Sequence, residues 1–203
     1  MMKATFYLSC CTVLLSSFQP ELEIPLEPGA LLPKSELTCM DVSGKEISLN
    51  TAKQENGLLV IFCSNSCPYM QRNHDRLREV CTYARKNNIG VVMVNSNEAA
   101  RNDLESFAAM KEYATKQQFR SWYYVVDKKA VLADAFDANH TPECFLFNKN
   151  SRLAYKGGID DSPGNADAVK TRLLHNAINE MLAGKPVAVS TSHSLGCNIK
   201  RNL

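Results

Sequence analysis

The chain has 203 residues, 45% hydrophobic and 22% charged, which suits one globular domain with a sizeable core. A net charge of +2 gives no reason to expect nucleic acid or an anionic membrane surface as a partner. Eight cysteines are many for a cytosolic protein, yet their spacing is not that of a small disulfide scaffold, and no paired Cys-x-x-Cys suggests zinc.

Lys3 and the apolar run from Ala4 to Leu15 have the length of a signal peptide and fall short of a bilayer span. Residues 1–19 therefore read as an export signal for a periplasmic or cell-envelope protein, with the mature chain starting between Ser17 and Glu21. Cys10 and Cys11 hint at a lipoprotein box, but the stretch before them is short, so membrane attachment is expected only through an uncleaved signal. Residues 20–34 hold Pro20, Pro25, Pro28, Gly29 and Pro33 and predict an extended lead-in. The domain proper is expected over 35–186, with 187–203 as a tail packed on it.

Within that domain, Glu36–Met40 and Glu46–Leu49 flank Ser43-Gly44 as a hairpin. Leu58 to Phe62 is an unbroken apolar run and reads as a strand buried on both faces. A helix should follow, with Ser64 as its cap, Pro68 in its first turn, and Met70, His74, Leu77, Cys81 and Ala84 as its apolar stripe. Ile89 to Asn95 is a second buried strand. Asp103 to Gln117 predicts a helix with Leu104, Phe107, Ala108 and Met110 on its apolar side. A strand at 122–126, a short helix at 130–136, a hairpin of 144–147 with 153–156, and a helix from Ala166 to Leu182 complete the domain. Helices between buried strands imply parallel pairing, and the late hairpin makes the sheet mixed.

Two constellations carry chemistry. Cys67 sits where a helix springs from a buried strand, a position that favours the thiolate. Thr141-Pro142, directly before a strand, is a candidate cis bond, with His140 beside it as a proton handler. Cys39, Cys81, Cys144 and Trp122 read as core, and His74 as a packing residue.

Together, Cys63-Ser64-Asn65-Ser66-Cys67-Pro68-Tyr69, Thr141-Pro142-Glu143, Val94-Asn95-Ser96-Asn97 and Gly196-Cys197-Asn198-Ile199-Lys200 resemble the thioredoxin superfamily. Within it the chain is similar to redoxins of the alkyl hydroperoxide reductase/thiol-specific antioxidant type, over roughly residues 30 to 200. The resemblance implies a thioredoxin-like three-layer α/β/α fold with a central mixed sheet and an N-terminal hairpin. It departs at Ser64, where a first active-site cysteine falls in related bacterial redoxins, and at Val60, where peroxiredoxins open their motif with proline. No arginine is assignable as the thiolate's partner, although Arg120 and Arg152 are available.

The expected function is thiol redox chemistry with Cys67 as nucleophile and Ser64 as its hydroxyl partner. Thr141 and Pro142 would form the opposite wall and offer backbone groups to an extended substrate. Peroxide and protein disulfide both stand as substrates, with an external thioredoxin-like thiol as reductant and no organic cofactor, metal or nucleic acid. Cys63, which flanks the same turn, is favoured to resolve Cys67, and Cys197 is expected to anchor the tail while standing as a second resolving thiol. The rival is a non-catalytic thioredoxin-fold binding or structural protein that has lost its first active-site cysteine.

Overall fold

A computed structural model describes residues 25–119 and 121–202. The export signal and Arg120 lie outside the described residues.

The elements are β1 (Thr38–Asp41), β2 (Glu46–Ser48), α1 (Leu49–Ala52), β3 (Gly57–Phe62), α2 (Pro68–Arg72), α3 (His74–Lys86) and β4 (Ile89–Asn95). They continue with α4 (Phe107–Lys116), β5 (Tyr123–Val126), α5 (Val131–Phe136), β6 (His140–Thr141), β7 (Glu143–Asn148), β8 (Leu153–Gly157), α6 (Leu173–Leu182) and β9 (Cys197–Asn198). Four strands run in the order β2-β1-β5-β4 and three in the order β3-β7-β8. The two groups meet where the Cys63 N–H donates to the Val94 carbonyl at 2.9 Å. β4 and β5 are parallel, while β1 with β2, β1 with β5, β3 with β7 and β7 with β8 are antiparallel. The sheet is therefore mixed, between two helical layers, as the sequence implies.

β3 shows why the run at 57–62 folds as it does. Leu59 and Ile61 join one core cluster, and Leu58, Val60 and Phe62 join the other. Successive side chains point to opposite faces, so an unbroken apolar strand glues both helical layers to the sheet. On one face Leu77, Val80, Cys81 and Ala84 of α3 meet Leu174 and Ile178 of α6. On the other, Phe62, Phe136 and Phe145 pack edge to face at centroid distances of 5.2–5.6 Å.

Three expected helices start differently. The helix after β3 is two segments, broken at Asn73, whose side-chain amide donates to the Tyr69 and Pro163 carbonyls instead of leaving the turn regular. The helix expected from Asp103 begins at Phe107 behind the Ser106 cap; Leu104 lies outside it at 55% exposure, and Ala108 is exposed. The helix expected from Ala166 begins at Leu173; ahead of it the Asp161 carboxylate accepts from the Lys170 N–H, and the Asp161 N–H donates to the Thr171 carbonyl.

Residues 29–32 of the lead-in run along the start of β8, with Gly29, Leu32 and Leu153 exchanging backbone hydrogen bonds with that segment. The tail returns across the far end of β8 and pairs β9 with β6.

Candidate active site

β3 carries the chain to Phe62 and Cys63. It then leaves the sheet through Ser64-Asn65-Ser66 and enters α2 with Cys67 as the cap and Pro68 as the first helical residue. The sequence placed the cap at Ser64. The cap falls three residues later because the Ser64 hydroxyl has another partner.

That partner is Glu105, fully buried beneath the loop. Ser64 Oγ donates to Glu105 Oε1 at 2.5 Å, and Ser66 Oγ to the same oxygen at 2.7 Å. Glu105 Oε2 accepts the Asn65 N–H at 2.9 Å and the Asn95 side-chain amide at 2.6 Å. Burial alone would raise the Glu105 pKa, but these donors more than offset it and hold the carboxyl below its usual range. Tyr124 closes the network, donating to Asn65 Oδ1 at 2.7 Å and accepting from Asn95 at 2.9 Å. Ser64 is thus tied to the loop's anchor, not to the Cys67 sulfur. The expected hydroxyl partnership with Cys67 is corrected on that geometry.

Cys67 is 1% exposed. Its Sγ lies 3.0 Å from the Thr141 carbonyl oxygen and 2.7 Å from Cys197 Sγ. Burial pushes its pKa up. Hydrogen bonds from the Cys197 thiol, from Thr141, and from the Met70 and Cys197 backbones outweigh that and lower it overall. Cys197, itself half-buried, is pushed up to about 11, first by burial and then by its hydrogen bond to Cys67. Of the pair, Cys67 is the thiol whose pKa falls and Cys197 the one whose pKa rises.

Cys63 faces elsewhere. It is buried, and its Sγ donates to the Val94 carbonyl at 3.5 Å. Burial, and next the nearby Glu105, raise its pKa well above the ordinary thiol value. The thiol in contact with Cys67 is Cys197, 130 residues away in sequence, and not the neighbour favoured by the sequence.

Thr141-Pro142 is a cis peptide, and both residues are buried beside Cys67. The wall expected beside Cys67 is there, but its edge has an occupant other than an extended substrate. The β6 edge is already filled by the chain's own tail, which pairs Thr141 with Cys197 and His140 with Asn198. His140 faces the tail as well, with Nδ1 3.4 Å from Ser194 Oγ. Arg152 sits at the other end of the sheet, where its guanidinium donates to the Gly29 carbonyl at 2.8 Å. It is no partner for the Cys67 sulfur.

Sequence reasoning missed Glu105, placing it inside a helix, and did not read Asn95 and Tyr124 as parts of the site. A signal was available in Asn95-Ser96-Asn97, three polar residues ending a wholly apolar strand; all three are buried. Polar side chains there demand partners: Asn95 donates to Glu105, Ser96 to Asp127 and Asn97 to the Cys63 carbonyl. Among the described residues, no group of three or more His, Cys, Asp or Glu gathers as for a metal ion.

The profile of the AhpC/TSA family matches residues 28–156. No curated protein matches the chain. Among solved structures, an uncharacterized conserved protein from Geobacillus kaustophilus has a TM-score of 0.80 at 26% identity, covering 87% of this chain and 93% of its own. A hypothetical protein from Sinorhizobium meliloti 1021 has a TM-score of 0.79 at 29% identity, over 88% and 97%. The thioredoxin domain of a thiol-disulfide oxidoreductase from Bacteroides vulgatus, at 16% identity, has a TM-score of 0.57 over 77% and 99% and shares the fold alone. The thioredoxin-like redoxin domain expected from the residues is what these likenesses show.

Proposed function

The chain belongs to the AhpC/TSA family, and we propose that it reduces a small hydroperoxide through the pair Cys67 and Cys197. The observation that carries this reading is the contact between the two sulfurs at 2.7 Å, made by a tail that pairs with the strand beside Cys67.

The chemistry follows from the two thiols. The Cys67 thiolate attacks one peroxide oxygen, the O–O bond breaks, and the alkoxide takes a proton and leaves as an alcohol. Cys67 is then a sulfenic acid, oxidised by two electrons. Cys197 sulfur attacks the Cys67 sulfur, the S–O bond breaks, and water leaves as the Cys67–Cys197 bridge forms. An external dithiol returns two electrons and becomes a disulfide itself. Its thiolate enters at Cys197, the more exposed sulfur, and releases Cys67, the thiol of lower pKa and hence the better leaving group.

A hydroperoxide is favoured over a protein disulfide for a geometric reason. An extended polypeptide would need the β6 edge and direct access to Cys67, and the tail takes the first and covers the second. The non-catalytic alternative rests on the serine at position 64, and it leaves the contact between the two sulfurs without a role.

The test is to treat purified protein with hydrogen peroxide, trap with a sulfenic-acid probe and map bridges by mass spectrometry. Wild type should give a Cys67–Cys197 bridge. Cys63→Ser should give the same bridge, and Cys197→Ser should leave Cys67 as sulfenic acid. A Cys67 that stays reduced in every variant would refute the reading. Export belongs to the proposal, supported by Lys3 and the apolar run 4–15. Its check is fractionation of the native host, where a cytosolic protein that keeps Met1 would contradict it.

A further inference from the structure

The segment that brings Cys197 to Cys67 is fixed on both sides of that residue. Upstream, the Ser192 N–H donates to the Lys156 carbonyl at 3.0 Å, and Ser192 Oγ shares a hydrogen bond with the Tyr155 hydroxyl at 2.7 Å and accepts the Gly158 N–H at 3.1 Å. Downstream, the Ile199 N–H donates to the Asn139 carbonyl at 3.0 Å, and the Lys200 N–H to Asn97 Oδ1 at 3.0 Å. Arg201 then donates to Asp134 at 2.7 Å and to the Ala138 carbonyl at 2.8 Å. Ile199 is buried in the second core cluster. Residues 192–201 therefore form a strap tied down at each end, with Cys197 between.

The strap crosses the domain where there is no room for a side chain. A Cβ on Gly157 would lie 2.2 Å from Ser192 Oγ and 2.5 Å from its carbonyl oxygen. A Cβ on Gly196 would lie 2.1 Å from the Thr141 carbonyl oxygen and 2.7 Å from its carbonyl carbon. These obstacles at Gly196 are backbone, so a side chain there cannot be accommodated by a rotamer change; the two backbones must part. The same Thr141 carbonyl oxygen is 3.0 Å from Cys67 Sγ. Gly196 and Cys67 thus pack on one atom, and lifting residue 196 from Thr141 also lifts Cys197 from Cys67.

We propose that Gly196 is a positioning residue that sets the contact between Cys197 and Cys67, so that the bridge closes with the strap still seated. This rests on the redox-pair reading for its consequence in catalysis, and on the strap's geometry for its consequence in accessibility. Misplacing a reacting group by about an ångström costs on the order of 100-fold in rate. Gly196→Ala should therefore slow bridge closure by roughly 10- to 100-fold. The first step, attack of Cys67 on peroxide, also loses the hydrogen bond with Cys197, so it should slow too, but by less than bridge closure, which loses the position of its attacking atom. Sulfenic Cys67 should therefore still accumulate in the variant, whereas a merely structural defect would slow both steps equally.

The experiment uses the full chain, with Leu195→Ala, an exposed neighbour, as control. Rapid quenching after stoichiometric hydrogen peroxide gives the loss of reduced Cys67, the sulfenic acid and the bridge as separate signals. A second measurement needs no peroxide: alkylation of unoxidised protein by a neutral maleimide, site by site. Gly196→Ala should alkylate several-fold faster at Cys197 than wild type, and Leu195→Ala should match wild type. Hydrogen exchange on wild type should show the 196–200 amides protected. Bridge closure at the wild-type rate in Gly196→Ala overturns the proposal, as does unchanged alkylation of Cys197 or free exchange of the strap. A wild-type Cys67 inert to peroxide refutes the redox reading, and the alkylation and exchange results then decide the strap on their own. Should Gly196→Ala fail to fold, the wild-type exchange result decides.

Discussion

Cys67 is held between two regions built in opposite ways. On one side, residues 64–66 wrap a buried carboxylate, and a dense set of donors fixes the loop. On the other, Thr141 and the strap meet backbone to backbone with a glycine at the crossing. The loop side uses Ser64 and Ser66 as anchors and puts no hydroxyl on the sulfur; the strap side brings the second thiol to it. Position and reactivity therefore come from different sides, and perturbing each should move a different observable.

The largest expected effect on stability is on the loop side. Glu105→Leu leaves the Ser64 and Ser66 hydroxyls, the Asn65 N–H and the Asn95 amide without their acceptor. Each such orphaned group costs about 1–3 kcal/mol, partly relieved by rearrangement, so a loss on the order of 3 kcal/mol is expected. For a domain of this size that lowers Tm by roughly 6–12 °C. The same residue sets an acid limb. Its folded pKa lies below the unfolded value of about 4.3, so its contribution is fully present above that pH and is lost as pH falls through the folded pKa. Urea unfolding from pH 7 to pH 3 should show the decline in wild type and a flatter profile in Glu105→Gln. An unchanged acid limb in that variant would remove Glu105 from its anchoring role. Gly196→Ala should instead act on the fate of oxidised Cys67, because the backbone atoms it displaces are those that seat Cys197 beside Cys67.

How far the sequence could be read depends on which interactions decide each element. β3 and β4 were legible because a run such as Leu58–Phe62 buries itself on any sheet with two helical layers. Cys67 and Thr141-Pro142 were legible as local motifs at a strand end and before a strand. What failed was decided by distant partners. The start of α4 moved because residue 105 answers to Ser64 across the site rather than to its own helix. Ser64 looked free to serve the sulfur because nothing local reveals a carboxylate 41 residues away. Cys63 looked nearer than Cys197, yet its Sγ is hydrogen-bonded to the Val94 carbonyl, and closing a long loop costs little more than closing a short one. Nothing local in the sequence shows that Ser192 and Ile199 fix the strap.

The smallest expected effect separates the two sides most cleanly. Ser64→Ala removes one hydroxyl from Glu105, which keeps the Ser66 hydroxyl, the Asn65 N–H and the Asn95 amide. A hydrogen bond to a charged acceptor contributes about 1.5 kcal/mol net, so the loss should be near that and half or less of the Glu105→Leu effect. If Ser64 served the sulfur, its removal would also raise the Cys67 pKa, because the thiolate would lose a donor. In the structure Cys67 Sγ meets Cys197 Sγ and the Thr141 carbonyl oxygen, and Ser64 is not among its partners. The thiol titration of Cys67, followed by its thiolate absorbance or by alkylation rate against pH, should therefore overlay that of wild type. The contrast is Cys197→Ala, which removes that thiol partner altogether, so the titration should move up. A Ser64→Ala titration shifted upward as far as that of Cys197→Ala would place the hydroxyl on the sulfur after all, and would join the two sides into one device.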